Sequence, residues 1–233
     1  MQYKDIHLVL PTHPHYRAWV DNIRQLKSER ERTDPFAAAY TIALYKWESV
    51  VQHILTTTVT HTHPTCPERI LTYTTPNQQG RWRKQYRELD YVAGDKRDPQ
   101  FIVEIKLQEK GYASMRGSRG WSQLNKASTI TQHIWPNLRT FCINVAMGQI
   151  LRIEENARTR ATTIPELPQI FAQTDKQPTI WINGQEVAQY GTDNGLLTTE
   201  DIDNLASLRS EMLNPLQLLD DQPEPTRTNW INL

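Results

Sequence analysis

The stretch Tyr86-Arg-Glu-Leu-Asp90-Tyr-Val-Ala-Gly94, a short charged turn, and Phe101-Ile-Val-Glu104-Ile-Lys106-Leu107 decide how this chain is read. Both halves alternate apolar and polar residues, the pattern of half-buried strands. On Phe101–Leu107 the two-residue period sets Ile102, Glu104 and Lys106 on one face and Phe101, Val103, Ile105 and Leu107 on the other. On Tyr86–Val92 it aligns Glu88, Asp90 and Val92. Side by side, these strands bring Asp90, Glu104 and Lys106 together. Charges in an otherwise apolar sheet are costly unless they are paired or hold a metal. Taken alone, Glu-x-Lys on a strand also fits an ion pair on a solvated face. Mg²⁺ takes oxygen ligands, commonly one or two carboxylates with water and substrate phosphate. Asp90 and Glu104 supply such oxygens. Lys106 is placed to orient or deprotonate an attacking water and to offset charge developing on a phosphate. The expected chemistry is Mg²⁺-dependent cleavage of a phosphodiester, with Mn²⁺ as a substitute ion.

The bulk numbers leave room for this. A chain of 233 residues suffices for one sizeable α/β domain with additions, and its 38% hydrophobic content includes seven tryptophans. Net charge is zero, so no global field recruits nucleic acid. The charge is uneven, however: residues 81–126 hold eleven Lys/Arg against six Asp/Glu, and the last 35 residues hold seven acids against two bases. A local basic patch still grips phosphates, because exposed charges act over about 8–10 Å in physiological salt. Cys66 and Cys142 form no disulfide framework and no CxxC occurs, which fits a reducing cytosol and two buried, packed thiols. No apolar run approaches a membrane span and the N-terminus lacks a signal peptide's apolar core. A soluble cytoplasmic protein with no membrane partner is therefore expected. No P-loop, G-x-S-x-G or G-x-G-x-x-G is present, which argues against nucleotide-driven motors, α/β-hydrolases and Rossmann enzymes.

The periodicity predicts a helix over about His15–Arg32, with Tyr16, Trp19, Val20, Ile23 and Leu26 on its apolar side. A second runs from about Pro35 to Leu55, capped by Asp34 and apolar on most sides, as a central helix is. Strands follow at Ile70–Tyr73, Tyr86–Val92, Phe101–Leu107 and Arg139–Val145, with another near Gln149–Ile153. Leu124, Ala127, Ile130 and Ile134 predict a helix within Gly120–Trp135. The order reads as α/β with a mixed β-sheet flanked by helices. Beyond it, Asn183-Gly184 between two β-prone runs predicts a hairpin over residues 178–190. Thr198 or Thr199 caps a further helix through Met212, and an acidic tail follows from Pro215. The expected organisation is an N-terminal helical segment (1–33), a core (34–158) and a C-terminal extension (159–233).

Asp90, thirteen intervening residues, Glu104-Ile105-Lys106, then a helix and a strand resemble the PD-(D/E)XK nuclease superfamily over roughly residues 35–153. Leu89 stands where the nominal pattern has proline. The resemblance implies a restriction-endonuclease-like αβββαβ core and a DNA endonuclease of restriction, recombination or transposition type. RNA is not excluded as substrate, and a homodimer is implied as for many relatives. It makes Asp90 and Glu104 metal ligands and Lys106 the residue that positions water. It also implies an acidic residue near the metal on the first core helix, a further metal ligand. Glu48 fits, because Leu44, Glu48, Val51 and Leu55 share a face on which a carboxylate interrupts an apolar stripe. A helix-edge glutamate paired with an arginine is the other reading. Gln123 fits the glutamine that some members carry at the start of the helix after E-x-K; a plain surface amide fits equally. A catalytically inactive nucleic-acid-binding or complex-assembly module of the same fold is the alternative function.

Two basic segments complete the expectation. Gly111–Gly120 offers glycines for close backbone approach with Arg116 and Arg119 for phosphate, and Lys126 follows on the next helix. Arg81, Arg83, Lys84 and Arg87, interleaved with Trp82 and Tyr86, suit a phosphate backbone or a charged edge strand. His13/His15 and His61/His63 read as loop sequence, without acidic or cysteine partners at zinc-site spacing.

Overall fold

Two sheets divide the strands between them. A computed structural model describes residues 2–31, 35–59, 63–108, 119–151, 161–173 and 179–213. In chain order the elements are β1 (Lys4–Val9), α1 (Pro14–Glu31), α2 (Pro35–Val59), β2 (Ile70–Pro76), β3 (Trp82–Glu88), β4 (Tyr91–Asp95) and β5 (Asp98–Gln108). Then come α3 (Arg119–Thr131), β6 (Arg139–Ala146), a 3₁₀ turn at Ile164–Glu166, α4 (Leu167–Gln173), β7 (Thr179–Asn183), α5 (Gly184–Asp193) and α6 (Thr199–Leu213). The smaller sheet is antiparallel in the order β1-β2-β3; the larger is β4-β5-β6-β7. Within the larger sheet β4 runs antiparallel to β5, while β5, β6 and β7 are parallel. The molecule is therefore α/β, with a mixed sheet flanked by helices, as the element order predicts.

The two faces of β5 separate the cores, as its alternation requires. Phe101, Val103 and Ile105 join Phe141, Ile143 and Val145 of β6 under α2, α4, α5 and α6. Phe101, Phe141 and Phe171 stack there with ring centroids 4.4–5.4 Å apart, contacts of about 0.5–1.5 kcal/mol each beyond simple burial. On the opposite face Ile102 and Cys142 meet Leu71 and Tyr73 of β2 and Leu124, Ala127 and Ile130 of α3. The central helix α2 touches α1, α4, α5, α6 and β5, which accounts for its buried apolar residues from Trp47 to Val59.

Several elements differ from the sequence expectation. Tyr86–Val92 is not one strand. β3 ends at Glu88 in the smaller sheet, the chain bends at Leu89-Asp90, and β4 begins at Tyr91 in the larger one. Alternation alone carries no information on which strand supplies the hydrogen-bond partner, so it runs on through the crossing. The predicted hairpin at Asn183-Gly184 is absent. A type I′ turn needs positive φ at both central residues, but Asn183 has φ −71° and its side chain accepts from Gln185 N at 2.8 Å, capping α5 instead. Gly184 is required for contact rather than for turning, since a Cβ there would lie 2.5 Å from the Ala146 carbonyl oxygen. No strand forms at Gln149–Leu151, which is a turn; residues 152–153 lie outside the described set. β1, the 3₁₀ turn and α4 were not anticipated.

The capping readings fared unevenly. Thr198 caps α6: its hydroxyl accepts from Asp201 N at 3.1 Å while Asp201 Oδ2 accepts from Thr198 N at 2.8 Å. Asp201 also binds Lys46 Nζ at 2.5 Å, tying α6 to α2. Asp34, Arg116 and the acidic tail lie outside the described residues. Cys66 and Cys142 are both free and buried, as packed thiols should be. Among the described residues no helix is long and apolar enough to cross a membrane.

Candidate active site

The bend at Leu89-Asp90 places the site. Tyr91 pairs with Val103, so Asp90 stands one step beyond the end of the β4–β5 ladder. Its Oδ2 accepts the Ile105 backbone N–H at 2.7 Å, replacing the partner that the departing strand withdraws. On β5, Glu104 and Lys106 emerge on the α3 side, opposite Cys142 and Asn144 of β6. Lys106 Nζ lies 2.5 Å from Glu104 Oε1 and 4.0 Å from Asp90 Oδ2. Glu48 arrives from α2, where its Oε1 accepts from Gln52 Nε2 at 3.3 Å. Among the described residues no arginine or lysine pairs with it, contrary to the helix-edge reading.

Asp90, Glu104, Lys106, Glu48 and Gln123 all line one cleft of about 870 Å³. Arg87 lines it too, with Nη1 donating to the Gln123 carbonyl at 3.4 Å and Nε left without an acceptor among the described residues. The other basic candidates stand apart. Arg81 precedes β3, Arg83 and Lys84 lie on it, and Lys126 lies on α3; all four are exposed and none lines the cleft. Arg119 opens α3, and its side chain is outside the described set.

The cleft is electrostatically unbalanced. Glu88 is matched by Arg69, at 2.7 Å, and accepts from Tyr16 Oη at 3.0 Å. That leaves Glu48, Asp90 and Glu104 facing Lys106. The Glu104 side chain is only 7% exposed and Asp90 14%. Burial, then the charge of Asp90, pushes both Glu48 and Glu104 up to about 7. Burial also raises Asp90, against the pull of Lys106 and the Ile105 N–H. Burial alone would lower Lys106, but Glu104 and Asp90 outweigh it and raise the ammonium. Beside them the Cys142 thiol is pushed to about 11, first by burial and then by Glu104, so it stays protonated and unreactive.

A divalent cation suits this donor set. Three carboxylates share one ammonium, and each is disfavoured as an anion where it stands. Among the described residues no three or more His, Cys, Asp and Glu side chains form a ready-made metal cage, and Lys106 occupies the Glu104 oxygen. Mg²⁺, which keeps most of its waters, needs only one or two of these carboxylates.

Gly120 has a structural role here that its place in a glycine-rich loop only hinted at. A Cβ on it would sit 2.7 Å from Lys106 Cγ and 3.4 Å from Cys142 Sγ. Gly120→Ala should therefore shift the Lys106 stem; a misplacement near 1 Å costs up to about 10²-fold in rate. Measuring turnover beside the far-UV spectrum of the variant checks this.

The raised carboxylates also set a pH dependence. Their folded pKa of about 7 exceeds the ordinary 4.5, so the folded state holds more protons between those values. Stability is greatest near and below pH 4.5 as far as these groups are concerned, and is lost as pH rises through 7. Asp90 and Lys106 act on both glutamates, Glu88 and Arg69 on Glu48, and Arg87 on Glu104. His63 opposes: burial lowers its pKa, which costs stability below about 6.5. Two glutamates outweigh one half-buried histidine, so the metal-free protein should melt higher at pH 6 than at pH 8 in calorimetry.

Arg69, Glu88, Tyr16 and Trp19 line the cleft and were missed by sequence reasoning. Tyr16 and Trp19 carried only a core-facing helix signal, and Glu88 was passed over in favour of Asp90. No family model, curated protein or solved structure matches this chain.

Proposed function

We propose that this protein is a Mg²⁺-dependent nuclease, with Mn²⁺ as a substitute ion, that hydrolyses phosphodiester bonds, most readily as a DNA endonuclease. The observation that carries the reading is the convergence of Glu48, Asp90, Glu104 and Lys106, from three separate parts of the chain, in one cleft whose burial disfavours the anionic form of all three carboxylates. Proteins concentrate such perturbed acids where chemistry needs them. Asp90 and Glu104 would hold the metal, with Glu48 beside them, and the ion would supply charge neutralisation and lower the pKa of bound water. Lys106 leaves Glu104 for the substrate phosphate and offsets the charge that develops there. Glu48, near neutrality in its pKa, is suited to take the proton of the attacking water. Gln123 donates its amide at the cleft rim. The exposed Arg81, just before β3, with Arg83 and Lys84 on it, extends a cationic track outside the cleft for the flanking backbone.

The test incubates the purified chain with labelled single- and double-stranded DNA, RNA and supercoiled plasmid, with Mg²⁺, Mn²⁺ or EDTA. Metal-dependent cleavage supports the reading. Binding without cleavage under any metal favours the inactive nucleic-acid-binding module, and neither result defeats both.

A further inference from the structure

The cleft has a second wall that phosphodiester chemistry does not use. Trp19 of α1 and Tyr86 of β3 line it beside the carboxylates, and both are half-buried. Their ring centroids lie 5.6 Å apart, and each also packs on Tyr16, at 6.0 and 5.8 Å. Tyr16 is buried and bonded to Glu88, which Arg69 holds in turn. One aromatic is thus fixed by a polar clamp while its two neighbours border open space. Val20 and Ile23 of α1 and Tyr45 of α2, 62% exposed, line the same cleft. A ligand recognised by phosphate alone has no use for such a surface, and a cleft that combines aromatic faces with a few charges marks a site for an amphipathic ligand.

We propose that Trp19 and Tyr86 form a stacking subsite for an unpaired nucleobase, so that the strand passing the carboxylates is single-stranded. This rests on the nuclease reading of the same cleft. A base within a duplex keeps both faces stacked on its neighbours, whereas an unpaired base offers its face to an aromatic ring. A cleft of about 870 Å³ also falls within the roughly 300–1,000 Å³ of sites that enclose a ligand of one or a few nucleotides. Arg87, half-buried, lines the same cleft and supplies a cation for the adjoining phosphate.

The test measures fluorescence anisotropy of labelled 12-mer DNA, the matching RNA, the duplex and a strand of abasic sites. Ca²⁺ replaces Mg²⁺, and wild type, Trp19→Leu and Trp19→Phe are compared, with far-UV spectra confirming each fold. Wild type should bind the single strands at least about tenfold more tightly than the duplex or the abasic strand. Trp19→Leu should lose about tenfold on single strands only, and Trp19→Phe should recover most of it. RNA bound as well as DNA would leave the proposal intact and widen the substrate. Equal binding of duplex and single strand, or no change in Trp19→Leu, overturns the stacking subsite, whatever cleavage shows. A tenfold Trp19 effect without cleavage in Mg²⁺ or Mn²⁺ upholds stacking while sinking hydrolysis. No binding of any oligonucleotide sinks both.

Discussion

Glu104→Gln should lose metal-dependent cleavage by about 10²–10³-fold and yet raise the melting temperature of the metal-free protein at pH 8. Both effects have one cause. Glu104 is 7% exposed, stands beside Asp90, and has its pKa raised to about 7, so at pH 8 the fold carries a charge it disfavours. Glutamine keeps the shape and removes the charge. Lys106 then retains Asp90, 4.0 Å away. A gain of about 1 kcal/mol moves Tm by roughly 2–4 °C in a chain of this size. The gain should vanish at pH 5, where wild-type Glu104 is protonated. Added Mg²⁺ should stabilise wild type more than the variant, because only an ion that binds the folded state shifts the melting point. Calorimetry at both pH values, with and without Mg²⁺, measures all of this. A variant that melts lower than wild type at pH 8 would mean the carboxylate is structural.

Lys106→Met should share the loss of cleavage but reverse the effect on stability. The methionine fills the space of the alkyl stem that packs on Gly120 while deleting the ammonium. At pH 8 the variant takes from Glu48, Asp90 and Glu104 the cation that acts on them most strongly, leaving only the weaker pull of Arg69 and Arg87. Removing one partner of a fully buried pair costs about 3–5 kcal/mol. Lys106 is 27% exposed, so the cost should be nearer 2–3 kcal/mol. Acidification to pH 5.5 protonates the glutamates and should return most of it. Chemical denaturation at pH 8 and 5.5 reads this directly. Equal stability of variant and wild type at pH 8 would contradict the charge balance described for the cleft.

The residues of this site were legible in the sequence to different depths. The two faces of β5 followed from period two alone, because a strand cannot bury Phe101, Val103 and Ile105 without turning Glu104 and Lys106 the other way. Glu48 was visible as a carboxylate interrupting the apolar face of α2. Asp90 was placed near Glu104 for an incomplete reason. Alternation reads it as part of a continuous strand, whereas it occupies the bend where the chain passes between sheets and accepts the Ile105 N–H. Which sheet a strand joins depends on tertiary hydrogen bonding that local alternation does not encode. Asn183-Gly184 failed for a similar reason. Its side-chain oxygen serves a helix N-cap as well as its backbone serves a turn, and the packing of Gly184 on Ala146 selects the cap. The aromatic wall was invisible because Tyr16 and Trp19 look the same in sequence whether they face a core or a cleft.

The proposed nuclease needs Asp90 and Glu104 to hold a divalent cation. Crystals grown with Mn²⁺, with anomalous scattering recorded at its absorption edge, test this most directly. The expected result is a peak coordinated by oxygens of both carboxylates, with Lys106 Nζ drawn away from Glu104. An empty cleft at millimolar Mn²⁺, with Lys106 still on Glu104, would contradict it.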